Sequence, residues 1–234
     1  MARTVKEQEY VKKRNDILDA AQQLIHTKGY ERMTIQDILN ELKISSGAFY
    51  HYFGSKPAVL DAFIERIREM TERPLLPIIH DDKLTALQKL QGFFDTIDRL
   101  RSEHKDDVVK LGQVWYADEN AIVRQKVGEA VRGQRAPLLA EIVHQGVREG
   151  IFTTAYPDQA GEVILSLLEG MSNTHAKLLF SLEEGPDQQS VIERIVGTHC
   201  AYMEAIERVL GAPPQALYRL DAAAGKFWVK AEEH

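Results

Sequence analysis

Apolar residues recur at helical spacing along almost the whole chain. In the first such stretch, one helical face carries Ile17, Leu18, Ala21, Leu24 and Ile25. Gly29 follows, at the place where a residue in the left-handed conformation commonly ends a helix. The pattern therefore predicts a first helix over about 10–28.

Two short helical patterns come next. The inward positions of the first of them are Ile35, Ile38, Leu39 and Leu42. Thr34 precedes this segment and Asp37 stands three residues after Thr34, as in a capping box. After a short turn, Ser45 can cap a third helix that carries residues 47–52. A supporting helix followed by helix, turn and helix is the outline of a helix-turn-helix unit.

The remaining chain keeps the helical period. A longer pattern begins at Lys56 and ends at Pro74 and Pro77, and a later one runs through Val108, Leu111 and Trp115. The stretch over about 119–149 contains Pro137, which we expect to kink this helix or to split it in two. Two regular stripes follow, the first started by Pro157 and the second preceded by the breaker GPDQ.

No strand pattern or tandem repeat accompanies these helices, so the predicted fold is all-α. We expect an N-terminal helix-turn-helix DNA-binding domain over residues 1–56. A fourth helix over about 56–73 connects it to a helical effector-binding and dimerisation domain over 74–234. In the tail after Pro213, the apolar residues Leu217, Tyr218, Phe227 and Trp228 predict that the chain docks back onto the body.

Charge separates the start of the chain from the rest. The 234 residues carry a net charge of -6, which by itself disfavours a nucleic-acid partner. Residues 1–56, however, hold nine Lys and Arg against seven Asp and Glu, a net +2 that leaves -8 on the remainder. The single cysteine, Cys200, excludes an intramolecular disulfide. Because no apolar run has the length of a signal segment or a membrane span, we expect a cytoplasmic protein with no membrane partner.

The motif SSGAFYHYF at 45–53 predicts a recognition helix for DNA. Small residues at 45–48 would let the backbone approach the bases, and His51 shares their face and can reach a base edge. Tyrosine, lysine and helix N-termini suit phosphate oxygens, while Phe49 and Phe53 would turn inward. The predicted DNA-binding residues are Thr34, Ser45, Ser46, Gly47, Ala48, Tyr50, His51, Tyr52 and Lys56. The alternative is an ordinary small core with hydroxyl groups at its surface.

The run from Ile17 to Phe63 resembles the DNA-binding domain of the TetR family of bacterial transcriptional regulators. The matching positions, over about 50 residues, are Gly29, Tyr30, Thr34, Gly47, Tyr50, Tyr52, Phe53 and Lys56. Three features depart from the family pattern. Lys43 occupies the turn where glycine is usual, so it must adopt a left-handed conformation or change the turn. Pro57 replaces a frequent acidic residue, and Leu39 and Leu42 are bulkier than the usual small residues.

The resemblance also implies a dimer through the last two helices. The stretch REGIFTTAYPDQAGEVILSLLEGM is similar to the segment that enters these helices in the family. The predicted interface residues are Val163, Leu167, Met171, Ile192, Ile195, His199, Tyr202 and Ile206. The alternative is that both stripes face the protein's own core.

Family members commonly carry a ligand cavity among the middle helices. Candidate lining residues are Phe93, Phe94, Trp115, Tyr116, Met171 and His175, which would favour an apolar or amphipathic effector. The same residues would also suit a plain helical core. A metal site at His175, His199, Cys200 and Met203 is disfavoured because no HxxxH or CxxC pair is present.

Together these features predict a ligand-responsive, dimeric repressor that binds a palindromic DNA operator and uses no cofactor. The effector would favour a distance between the two DNA-binding domains of the dimer that no longer matches successive major grooves. An enzyme is disfavoured because the chain contains no GxSxG, GxxxxGK or HExxH motif. A helical dimer of the same fold that binds a protein instead of DNA remains the alternative.

Overall fold

The computed structural model describes residues 2–102, 112, 114–181 and 187–220. Within these ranges the regular structure is entirely helical, which confirms the predicted all-α fold. The α-helices whose bounds lie within the described residues are α1 Ala2–Lys28, α2 Ile35–Leu42, α3 Ser46–Tyr52, α4 Lys56–Glu72, α5 Leu76–Ile79, α6 Ala86–Ser102, α7 Ala121–Arg148, α8 Pro157–Phe180 and α9 Gln188–Leu210. A 3-10 turn, Asp118–Asn120, precedes α7. None of the described helices combines the length and the apolar character that crossing a membrane requires.

The chain folds into two compact units. The first, here called the head unit, comprises Met1–Met70 and Asp106–Ala130. The second, the body unit, comprises Thr71–Lys105 and Val131–His234. The head unit thus includes a segment from the middle of the sequence that the predicted DNA-binding domain, 1–56, leaves out. The functional limits 1–56 and 74–234 remain a prediction.

Helix α1 is longer than the apolar pattern predicts. It ends at Lys28, and Gly29 then adopts φ +82°, so the predicted left-handed cap is confirmed. Its start, predicted near residue 10, lies instead at Ala2. Hydrophobic periodicity detects only turns that bury a face, and residues 7–13 are all exposed. The first turns of α1 therefore carry no signal of this kind.

Side-chain caps define the short helices of the head unit. The Asp37 amide donates to Thr34 Oγ1 at 3.1 Å, and the Thr34 amide donates to Asp37 Oδ2 at 2.7 Å, which confirms the capping box. Ser45 caps α3 by accepting a hydrogen bond from the Ala48 amide at 3.2 Å. Lys43 has φ 53° and ψ 43°, so the turn keeps its left-handed residue without glycine.

Helices α6 to α9 supply the main apolar core of the body unit, together with α5, the segment before α8 and the segment after α9. Its largest fully buried side chains include Phe93, Leu90 and Phe152. Helix α7 continues through Pro137, so the predicted split does not occur. Pro137 is exposed, and its ring can therefore face away from the core. Helix α8 begins at Pro157, as predicted, where the missing N–H leaves no helical bond unmade.

The segment after α9 folds back onto the body unit. Gly211 ends α9 with φ +61°, and Leu217 is buried in the body core. The Tyr218 amide donates to Gln91 Oε1 on α6 at 3.0 Å. Docking of the tail is thus confirmed as far as Leu217, although Tyr218 keeps an exposed ring. Phe227 and Trp228 lie outside the described residues.

Candidate nucleic-acid interface

Helix α3 presents a polar surface over an aromatic anchor. Phe49 and Phe53 are buried, as predicted, and their ring centroids lie 6.2 Å apart. Ser45, Ser46, Gly47, Tyr50 and His51 are exposed, and Tyr50 has 54% of its residue surface accessible. Ala48 and Tyr52 are half-buried. The two buried rings therefore hold a seven-residue helix whose opposite side is free to meet a partner.

Gly47 lies where the chain's own packing does not require a glycine. A Cβ built at this position would meet no heavy atom closer than Ser45 Oγ, at 4.0 Å. Its backbone is helical, so a left-handed conformation does not explain it either. The small size of this residue thus leaves room for something that approaches α3 from outside.

Lys28 neutralises the acidic group at the start of α2. Thr34 is exposed, but its hydroxyl is already engaged in the capping box. Lys28 Nζ donates to Asp37 Oδ2 at 2.7 Å. That hydrogen bond, followed by those from Thr34, lowers the pKa of the Asp37 carboxyl to about 2. Asp37 is therefore ionised near neutral pH, and the adjacent ammonium offsets its charge.

Lys56 is tied to the loop that precedes α2. Its ammonium donates to the Glu31 carbonyl at 3.2 Å and lies 4.3 Å from the centroid of the Tyr30 ring. Burial lowers the pKa of Lys56, and the carboxylates of Glu31 and Asp37 partly oppose that effect. Sequence reasoning assigned Lys56 to phosphate alone and missed this anchoring role.

The N-terminal half of α1 packs on the end of α3. The Tyr10 ring lies 4.9 Å from the Tyr52 ring and 5.7 Å from the His51 ring, in centroid distances. Four residues further along α1, the Arg14 guanidinium stands 5.0 Å from the Phe53 ring centroid. Sequence reasoning missed both contacts because Tyr10 and Arg14 precede the apolar stripe that starts at Ile17.

A buried asparagine ties a distant segment into the head unit. Asn120 is 1% exposed, and its Oδ1 accepts a hydrogen bond from the Tyr30 amide at 2.8 Å. Its Nδ2 donates to the carbonyls of Ile25 at 3.2 Å and Val114 at 3.0 Å. The neighbouring Glu119 forms an ion pair with Arg32. No sequence signal identifies Asn120, since its partners include a residue 90 positions away.

The predicted pocket residues fall into both units. Phe93, Phe94 and Met171 are buried in the body core, and His175 is half-buried on α8. Trp115 and Tyr116 belong to the head unit and are half-buried there. The structure therefore groups four of the six candidates in one unit.

The residues of the predicted dimer interface differ in how deeply they are buried. Val163 is exposed, and Leu167 and Tyr202 are half-buried. The remaining five residues are buried within the single chain: Met171, Ile192, Ile195, His199 and Ile206. Most of the apolar stripe on α9 is therefore already covered by the chain itself.

His199 lies inside the body unit and is 6% exposed. Its ring is nearly parallel to that of His175, with centroids 6.5 Å apart. Burial lowers the pKa of His199 in spite of a hydrogen bond with the Tyr218 backbone, so the imidazole is neutral near pH 7. The described residues contain no cluster of three or more His, Cys, Asp or Glu side chains that could hold a metal ion.

Comparison with known families agrees with this geometry. The profile described as "Bacterial regulatory proteins, tetR family" matches residues 17–63, which span the C-terminal part of α1 through the first half of α4. A second profile, "Tetracyclin repressor-like, C-terminal domain", matches residues 108–178. The chain belongs to the TetR family of bacterial transcriptional regulators. It is therefore a DNA-binding regulator and not an enzyme, as predicted.

Individual TetR-family proteins resemble this chain over most of its length. The uncharacterized HTH-type transcriptional regulator YuxN of Bacillus subtilis is 29% identical over 199 residues, which are 72% of this chain and 67% of YuxN. The HTH-type transcriptional repressor NemR of Escherichia coli K12 is 24% identical over 190 residues, 79% of this chain and 94% of NemR. A structure of the SmeT–triclosan complex has a TM-score of 0.63 at 17% identity, with 89% of this chain and 96% of SmeT covered. The last comparison establishes that the two chains share a fold.

Proposed function

We propose that this TetR-family regulator is a cytoplasmic, homodimeric repressor that binds a palindromic operator through α3. In this proposal a small apolar or amphipathic effector binds the body unit and releases the protein from DNA. The observation that carries the DNA-binding part is the surface of α3. There, exposed Tyr50 and His51 and the open backbone at Gly47 stand over the buried rings of Phe49 and Phe53.

Each group on this surface has a distinct task in the proposal. The thin start of α3, at residues 45–48, enters the major groove, and His51 reaches a base edge. Tyr50 and Tyr52 donate hydroxyl groups to phosphates, and the N-terminus of α2 after Thr34 adds backbone amides. Lys56 contributes positive charge from an anchored position, so little side-chain entropy is lost when DNA binds.

A homodimer supports the palindromic site by symmetry, because a two-fold protein matches two half-sites about 34–36 Å apart on one side of the duplex. Val163 on α8 offers exposed apolar surface for such a contact, and Leu167 and Tyr202 offer part of theirs. We keep the proposed interface on α8 and α9 and centre it on these three residues. The five buried residues would pack inside their own chain and hold α8 and α9 in position for this contact.

The proposed effector site lies in the body unit, near Phe93, Phe94, Met171 and His175. Three of these side chains are apolar and buried, which favours an apolar ligand body, and the imidazole can meet one polar group. The SmeT structure contains triclosan, a small molecule bound on the same fold. That likeness supports the size class of the ligand and not its identity.

The proposed function is tested first by selecting binding sites from a pool of random duplex DNA with the full chain. The selection is repeated with Tyr50→Phe/Lys56→Ala, which removes one proposed phosphate donor and one anchored charge. The matched control is Tyr156→Phe/Lys177→Ala, the same two changes at exposed body positions. We expect a palindrome to be enriched by the wild type and the control. The Tyr50/Lys56 variant should bind that site at least about tenfold more weakly.

The dependence of affinity on salt gives an independent check on the same site. A protein that contacts several phosphates loses affinity steeply as salt rises, and the variant should show a shallower slope. Enrichment of no sequence at low salt would contradict the proposed function. That result would favour the alternative in which the helical dimer binds a protein partner, to be sought by cross-linking through α3.

A further inference from the structure

An aromatic residue outside the helix-turn-helix contacts the recognition surface directly. Tyr10 stands near the start of α1, and its ring meets the His51 ring edge to face, with an interplanar angle of 84°. The same ring packs against Tyr52 at 4.9 Å with a tilt of 41°. Tyr10 is thus in contact with two consecutive residues at the C-terminal end of α3.

Burial in the apolar core does not explain why Tyr10 lies against α3. Tyr10 is 39% exposed and precedes the buried Ile17 by two helical turns. Arg14 shares the face with Tyr10, four residues along, and lies against Phe53. The N-terminal extension of α1 therefore places an aromatic ring and a guanidinium against the last turn of α3.

His51 contacts the Tyr52 ring of its own helix, at 5.0 Å between centroids, and meets Tyr10 as an aromatic contact from outside α3. It is exposed on a helix of seven residues, and an exposed imidazole samples several rotamers. A base edge is recognised only when donor and acceptor atoms are held in a defined direction. The ring contact with Tyr10 restricts His51 before DNA arrives, so less conformational freedom is lost on binding.

We propose that Tyr10 is a positioning residue for operator recognition, which holds the His51 ring in the orientation that reads DNA. This inference rests on the proposed DNA-binding function and adds a specificity determinant that lies on α1. Tyr10 acts through His51, and its effect should therefore vanish when His51 is removed.

The test is a double-mutant cycle measured on the operator selected by the wild-type chain. Tyr10→Ala should weaken operator binding by about threefold to tenfold, the size expected for one aromatic pair. Binding to a scrambled duplex of the same length should stay within about twofold, because Tyr10 contacts one proposed phosphate donor, Tyr52, while Tyr50 and Lys56 keep their contacts. In a His51→Ala background, Tyr10→Ala should have almost no further effect on operator affinity.

Three further measurements separate positioning from other roles. Tyr10→Phe restores the ring without the hydroxyl and should recover most of the lost affinity. Tyr156→Ala, at a 72% exposed tyrosine of the body unit, is the matched control and should bind like the wild type. In the free protein, the ring-proton NMR shifts of His51 should move in Tyr10→Ala, while the circular dichroism spectrum shows that the head remains folded.

The proposal is overturned by any of three results with folded protein. The first is operator affinity of Tyr10→Ala equal to the wild type. The second is an equal loss on operator and scrambled duplex, or an equal loss in the His51→Ala background. The third is a loss in Tyr10→Phe as large as in Tyr10→Ala, which would assign the effect to the hydroxyl. If the wild type selects no operator, the proposed function fails, and unmoved His51 NMR shifts would show separately that the ring contact has no positioning effect.

Discussion

Asn120 in the head unit and Glu207 in the body unit are both buried side chains that bind backbone groups. Asn120 does so with a neutral amide and Glu207 with a carboxylate. Each is almost completely buried, at 1% and 3% exposure, and each binds backbone groups of other segments of its own unit. Asn120 binds the amide and carbonyls of three separate places with a neutral side chain. Glu207 binds one returning segment with a negative charge. The comparison predicts that the two substitutions differ in how much unfolding free energy they cost and in how that cost changes with pH.

Glu207 holds the segment after α9 with three donors. The Leu217 amide donates at 2.9 Å, the Gln215 amide at 3.2 Å and an Arg219 guanidinium nitrogen at 2.6 Å. Burial by itself would raise the pKa of the Glu207 carboxyl. The hydrogen bonds from Leu217, Arg219 and Gln215 together outweigh burial and keep the pKa below its usual value.

The largest expected effect is that of Glu207→Ala. It leaves the Arg219 charge, the buried Leu217 amide and the Gln215 amide without their acceptor, which should cost about 3–5 kcal/mol of unfolding free energy. Urea unfolding followed by circular dichroism measures this loss. Glu204→Ala on the same helix removes an exposed ion pair with Arg208 and should cost less than about 0.5 kcal/mol. Equal losses in the two variants would refute the role given to Glu207.

Asn120→Ala should have the next largest effect. The Tyr30 amide and two carbonyls lose their partner, and because solvent can reach part of this region we expect a loss of about 2–3 kcal/mol. The same unfolding measurement applies, and Asn40→Ala at an exposed position of α2 is the matched control. A loss within about 0.5 kcal/mol of the control would mean that Asn120 does not hold the segment before α7 to the head.

A pH series distinguishes the charged residue from the neutral one. A carboxyl whose pKa is lowered by folding contributes stability above its unfolded pKa of about 4.3, and this contribution is lost as pH falls through the folded value. The stability gap between wild type and Glu207→Gln should therefore shrink as pH decreases from about 7 to about 3. The gap caused by Asn120→Ala should not change, because an amide does not titrate. A Glu207 gap that is constant over this range would contradict the charge-based account.

The smallest effect concerns the turn before α3. Lys43 has φ 53°. This left-handed conformation raises the conformational free energy of a residue with a Cβ more than that of glycine. Lys43→Gly should therefore stabilise the head unit by about 0.5–1 kcal/mol, even after the extra chain entropy of glycine is counted. Lys13→Gly, in the interior of α1, is the opposite control and should destabilise by about 0.5–1 kcal/mol. Thermal unfolding measures both, and a loss of stability in Lys43→Gly would argue against strain at this turn.

Local features of the recognition unit could be predicted from the sequence because their causes lie within a few residues. The capping box of Thr34 and Asp37 and the Ser45 cap join positions three apart, and both are confirmed. The inward rings of Phe49 and Phe53 follow from helical spacing in the same way. Of the two outcomes expected for Lys43 from the family resemblance, a left-handed conformation or a changed turn, its φ confirms the first.

Other features could not be predicted from pattern alone. The start of α1 was placed too late because its exposed turns carry no apolar period. Of the two outcomes expected at Pro137, the split does not occur, since proline on an exposed face removes one hydrogen bond without entering the core, and the kink stays a prediction. The apolar stripes of α8 and α9 have the same spacing whether they face a partner or the chain itself. Only burial shows that Ile192, Ile195 and Ile206 face the chain itself.

The sequence by itself determined which segments are helical, how the short helices are capped and which family the recognition motif resembles, because those properties depend on neighbours along the chain. The tertiary structure alone decided which side chains from distant segments meet. Asn120 reaches Tyr30 across 90 positions, and Gln91 reaches Tyr218 across 127. Tyr10 meets His51 in the same manner. Such contacts are selected by the packing of whole helices, and no local pattern of residues records them.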